Sequence, residues 1–438
     1  NGQYHFNISP EFSNTITNRG TITALEGGLV AFVAPGVQNT GIINARLGKV
    51  SLAAGNTFTL DLYGDQLVNL GVDSEVIESV TGIDGEQLKS LVSNNGSIYA
   101  DGGTVAMDVR TAQSLIDGVI NMSGYIQARS IAKKNGSIYL TGGNEGLVSV
   151  SGNIDATGLK TNETGGVVHV LGNRVGLYDY ARIDVSGDAG GGLVLVGGDY
   201  QGLGLIPTAV DNYVGPNVSI FADAVTGGDG GRTIFWADRR TEFFGTIKAR
   251  GGRLFGDGGF AEVSGKEELY FVGSVDTTAP NGKSGTLLLD PDYITVSGGS
   301  GTASASGASS FTTYEDILES VASTTNIEMI ATNSITFNNS LSFAQTAGQS
   351  VTFTATNGNI SVTDSSDTIE TSGGSIIMTA GGTLSIGAVD TNGGDITLTG
   401  AEFTLSGALD AGVGTVTILG ASGETIGLDG ITANTTAS

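Results

Sequence analysis

The chain has 438 residues, 71 of them glycine and only 6 proline, with no cysteine and a formal charge of −25 from 44 acidic and 19 basic side chains. Glycine without a triplet period or abundant proline excludes collagen, and 39% hydrophobic residues in short runs exclude a solvated low-complexity linker. The missing cysteines exclude a disulfide framework and thiolate metal sites, and the negative charge disfavours nucleic acid and anionic membranes as partners.

Residues 1–30 lack a basic start followed by an apolar core, and no run of 18 apolar residues occurs anywhere. The first informative feature is a repeat. Asn18-Arg-Gly-Thr-Ile-Thr-Ala24 returns 21 residues later as Asn39-Thr-Gly-Ile-Ile-Asn-Ala45, with Gly27 matching Gly48 and Leu29 matching Val50. Such a unit holds short alternating strands separated by Gly and Asn, residues that tolerate turns. One unit cannot bury its own apolar face, whereas stacked units at ~4.8 Å can. Residues 1–63 are therefore expected to form the first coils of a right-handed parallel β-helix in an all-β chain. Ala24, Ala45 and Ala53 are expected at its narrow corners.

Residues 64–93 break the pattern. Ser74 is a candidate N-cap, and the apolar spacing of Val76, Ile77, Val80, Leu88, Leu91 and Val92 predicts a helical or irregular insertion on the outside of the rod. A short helical turn is expected around Leu115 and Ile116. Residues 94–297 read as a β-helix with variable loops, its strands opened by glycine pairs such as Gly165-Gly166, Gly191-Gly192, Gly230-Gly231 and Gly258-Gly259. Residues 298–332 read as a Gly/Ser linker followed by a short helix at 313–323, and mark a subdomain boundary. Residues 333–438 read as a regular C-terminal solenoid, where Ile369, Val389 and Leu409 recur every 20 residues. The polar tail Thr432–Ser438 is not the apolar lid that an end cap needs.

The densest polar and aromatic patch carries the candidate ligand-binding residues Arg232, Trp236, Asp238, Arg239, Arg240, Phe243 and Phe244. Enzymes on β-helices need clustered carboxylates beside a basic partner. Asp184, Asp188, Asp223, Asp229, Asp238 and Glu242 supply the acids for such a reading, but a solvated coil edge is the plainer account, and no catalytic residue is assigned. His5 and His169 are far apart, and alternation points His169 outward from Val168 and Val170. No cofactor is expected. Calcium stays a minor alternative, since Asp229 and Asp257 sit in glycine turns but the tandem nonapeptide repeat is missing. The sequons at Asn7, Asn95, Asn135, Asn217 and Asn359 read first as corner asparagines and second as glycosylation sites.

The order of these motifs resembles the filamentous-haemagglutinin type of two-partner-secretion exoprotein, a large bacterial adhesin family. The resemblance rests on Asn18–Ala24, Gly27-Gly-Leu-Val-Ala-Phe-Val-Ala-Pro35, Asn39–Ala45 and Leu47–Gly55. It continues through Ala100–Met107, Gly124–Ala128, Thr286-Leu-Leu-Leu-Asp-Pro291 and Asn333–Phe337. The family's Asn-Pro-Asn motifs are missing, and Asn1-Gly2 would be the tail of one. The resemblance implies export through an outer-membrane partner transporter and an extracellular place at the bacterial surface. It also implies an adhesive or biofilm-matrix role on host cells, neighbouring cells or matrix polysaccharide. A filament subunit associating end to end is the alternative, and a polysaccharide-degrading enzyme a more distant one.

Overall fold

Alternation decides which side chains meet. In Thr104–Val109 and Ser137–Thr141 every second residue is buried, and Val105, Met107, Val109, Ile138 and Leu140 are shut off from solvent. A strand with one apolar face and two open hydrogen-bonding edges needs a neighbour on each side. The computed structural model describes residues 3–6, 14–61, 69–74, 76, 79–82, 84–109, 118–299 and 311–421. In it the neighbour is the same strand one coil away, and the chain is a parallel β-helix.

Three ladders of parallel strands form its faces. The first begins with Leu29–Ala34, Lys49–Ala54 and Thr104–Val109 and runs unbroken to Val416–Gly420. The second runs from Thr15–Asn18 to Glu268–Phe271. The third runs from Thr21–Thr23 to Ser274–Asp276. One continuous core fills the interior from Val30 to Ala411.

The sequence repeat is the coil length. Asn18 sits beside Asn39, and their side-chain amides bond at 2.8 Å across 21 residues. Asn39 in turn donates to Asn94 at 2.7 Å, with 55 residues between them. The third corner is lined by Ala45, Ala100, Ala128 and Ala156, all fully buried. At the corner before the first ladder the coils touch backbone to backbone. A Cβ on Gly192 would lie 2.1 Å from the Gly166 carbonyl oxygen, so only glycine fits there.

Where it is described, the insertion at 64–93 is not helical. Thr57–Asp61 and Asn69–Ser74 pair antiparallel, and a Thr81–Gln87 bridge closes a turn at Gly85, whose φ is 82°. Gly82 and Gly85 interrupt the helical spacing, and the β-branched residues take the alternative. The insertion is not wholly external either, because Val76, Val80 and Leu88 join the core, the last two packing on Gly36. Its last residues belong to the rod, since Ser90–Asn94 is a strand of the second ladder. The helical turn at Leu115 and Ile116, the linker over 300–310, the tail 432–438, and Asn1, Gly2 and Asn7 lie outside the described residues.

The helix expected at 313–323 spans Glu315–Glu319 and is preceded by a strand, Phe311–Tyr314. Leu318 is fully buried, and the helix packs against Leu341–Phe343. It stands where the third face would otherwise carry a strand. Beyond it the second and third faces resume as Tyr293–Ser297 to Glu402–Leu405 and Leu341–Phe343 to Leu409–Asp410.

Candidate recognition site on the lateral face

Arg232–Phe243 is a twelve-residue strand that serves two faces. Its first half lies in the first ladder between Leu193–Val196 and Phe260–Gly265. Its second half lies in the second ladder between Ala209–Val214 and Glu268–Phe271. Alternation sends Thr233, Phe235 and Ala237 inward and Arg232, Ile234 and Trp236 outward. Ile234 and Trp236 are nevertheless buried, because residues 197–208 cross the outer face as a strap.

The strap is built from tight turns. Asp199 caps a 3-10 turn at Tyr200–Gly202, and Gly197, Gln201, Gly202 and Gly204 all have positive φ. Ile206 and Leu193 pack on Leu195, Ile234 and Trp236, a small apolar cluster separate from the main core. Gly202 is required: its φ is 63°, and a Cβ there would lie 2.4 Å from the Trp236 Nε1. The indole N–H donates to Asp238 at 3.2 Å, and Thr208 donates to the other oxygen of Asp238 at 2.5 Å.

Acidic groups lie beneath and beside the strap. Glu262 is fully buried and accepts the Gln201 backbone N–H at 3.0 Å. Burial pushes its carboxyl up to about 8. The Gln201 side-chain amide donates to Asp290 at 2.8 Å, and burial raises that carboxyl to about 6. Glu328, one coil beyond Asp290, is also raised by burial. The Arg232 guanidinium lies 4.8 Å from the Tyr200 ring centre and 4.5 Å from that of Phe260, so it fastens the strap by cation–π contacts. Beside the strap is a cleft of about 430 Å³, lined by Leu203, Trp236, Asp238, Lys266, Asp290 and Asp292. Leu203 stands exposed at its lip.

Of the residues singled out in the sequence, Arg232, Trp236 and Asp238 come together here. Arg239 pairs instead with Asp211 at 2.5 Å and Arg240 with Glu242 at 3.2 Å, along the second face. Phe244 is half-buried on that face beside Tyr213, which stacks on Tyr178. Phe243 is no ligand contact: the alternation turns it inward, fully buried between Phe235 and Phe271. His169 does point outward, half-buried, its ring edge against Tyr139 and its proton affinity lowered by burial. Asp229 and Asp257 each accept a backbone N–H from the next coil at 2.7 Å, as turn-formers do. Asp223 pairs with Arg250, and Asp184 with Arg182. Tyr200, Gln201, Glu262 and Asp290 were not legible as a site. Glu262 occupies an outward position of its strand, and what buries it lies 61 residues earlier.

No family profile matches the chain, and no curated protein matches it. Among solved structures it is similar to the crystal structure of the HMW1 secretion domain from Haemophilus influenzae. The two are 29% identical over 61% of this chain, with a TM-score of 0.48. The match spans 65% of that domain's length.

Proposed function

We propose that this protein is an extracellular bacterial rod that binds cells or glycans through its lateral face, as an adhesin or matrix component. Export through an outer-membrane partner transporter belongs to the same reading and rests on the order of the sequence motifs. The observation that carries the binding role is the strap. Coil stacking does not require a segment to cross the outer face, yet this one does, and it leaves a polar cleft with an exposed apolar lip. A fixed β-helix supplies the rigidity that such a site needs. Weak sites displayed on many copies then act together.

The test is attachment of beads coated with the purified chain to epithelial cells and to matrix polysaccharide. The chain as it stands should hold, and Leu203→Asp with Lys266→Glu should weaken attachment by about tenfold at unchanged circular dichroism. Equal attachment by both chains would take the lateral cleft out of the account. No attachment by either would remove the adhesive role.

A further inference from the structure

The strap is the part of the molecule whose placement depends on groups that water would ionise. Thr208 and the Gly197 backbone tie the ends of the strap to Asp238 and Val170, and its bonds to Glu262 and Asp290 both come from Gln201, a non-glycine residue at φ 53°. Its backbone N–H goes to Glu262 and its side-chain amide to Asp290. A carboxylate fully cut off from solvent is costly to charge unless it is well paired. The groups facing Glu262 do not pair it. Tyr200 and Gln201 face it from the strap and Arg232 from the preceding coil, but the Arg232 guanidinium is held between two aromatic rings. Asp290 faces it from the next coil and adds negative charge, with Asp292 and Glu328 behind Asp290. Ser264 contributes a hydroxyl.

We propose that residues 197–208 form a proton-operated latch: with Glu262 protonated the strap stays docked, and with Glu262 ionised it lifts and uncovers Leu195, Ile234 and Trp236. Ionised Glu262 gains hydration once the strap is off, and the strain at Gln201 is relieved in the same motion. The sign follows from burial. Glu262 titrates near 8 when docked against an ordinary 4.5, so the docked state binds the proton more tightly. Docking is fully supported below 4.5 and weakens as pH rises through the interval up to about 8. Asp290 acts in the same direction lower in that interval. The latch makes the apolar patch a surface available at neutral-to-alkaline pH and hidden in acid, whatever the rod binds.

Trp236 is the chain's one tryptophan, and it lies under the strap. Its emission and its quenching by acrylamide therefore read the latch directly. Between pH 5 and pH 9 the emission should move to the red and quenching should rise several-fold, with the far-ultraviolet circular dichroism unchanged. Glu262→Gln should hold the low-pH emission throughout. Asp290→Asn, which removes the neighbouring negative charge and a second group whose ionisation loosens the strap, should move the midpoint to higher pH, and it serves on its own if Glu262→Gln does not fold. A flat profile in the unsubstituted chain would overturn the latch. So would a Glu262→Gln chain that still shifts, or a midpoint that Asp290→Asn leaves in place.

Discussion

At the scale of single residues, adjacent positions in the chain have opposite fates. Phe243 joins Phe235 and Phe271 in a stack of rings inside the rod, with centroids 5.1 and 5.9 Å apart, while Phe244 turns outward to Tyr213. Phe243→Ala should cost about 3–5 kcal/mol in a denaturant titration, since the neighbouring coils are fixed by their ladders and cannot close the cavity. Phe244→Ala should cost much less. The sequence assigned both to one surface because a cluster of aromatics was read without its alternation. The alternation itself was legible: Val168 and Val170 are fully buried and His169 faces out. The corner asparagines were legible for a physical reason, too. Asn18, Asn39 and Asn94 bond amide to amide, which ties the first coils together until Met122 takes the position in the next. Glu262 was not, because nothing within its own strand says that another segment will cover it.

Among the elements, the strap shows what a periodic reading misses. Its residues have no repeat to follow, and its shape comes from positive φ at four positions between Gly197 and Gly204. Gly202→Ala is the direct probe of how firmly it docks. The new methyl group meets both the indole and an unfavourable φ. The Trp236 emission of this variant should be red-shifted even at pH 5, while the denaturation midpoint of the whole rod changes little. A blue, unquenched Trp236 would mean that the strap accommodates the methyl group. Of the two readings of 64–93, helical or irregular, the described residues take the irregular one for a related reason. Val76, Val80 and Leu88 satisfy helical spacing on paper, but Gly82 and Gly85 break it, and the core beside Gly36 takes the side chains from an irregular segment. Of the helix expected over 313–323 only Glu315–Glu319 is helical, since 311–314 pairs as a strand, and its Leu318 does for the third face what a strand residue does elsewhere.

Across the whole molecule, the repeats of 21 and 20 residues translate directly into coil stacking, and Val296, Leu318, Val321 and Ile327 belong to one core around the coil at 311–325. That coil is nevertheless unlike its neighbours. The first ladder continues from Thr286–Leu289 to Asn326–Ala331. Among the described residues, no ladder pairing joins Glu268–Phe271 to Tyr293–Ser297, where Phe311–Tyr314 intervenes, or Ser274–Asp276 to Leu341–Phe343, where the helix stands. There the Thr277 backbone N–H and hydroxyl bond the Thr325 hydroxyl, each at 3.2 Å. The hydrogen bonds of a β-helix point along its axis, so a pull on the two ends loads them in tension and shares the load among the faces. At this coil one ladder carries most of it. A rod held at one end and dragged at the other by flow would therefore part here first, as a mechanical fuse. Optical tweezers should record an initial rupture that releases the segment from about residue 277 to 325, at a force below that needed to unzip the coils on either side. A first rupture elsewhere would mean that the remaining contacts share the load after all.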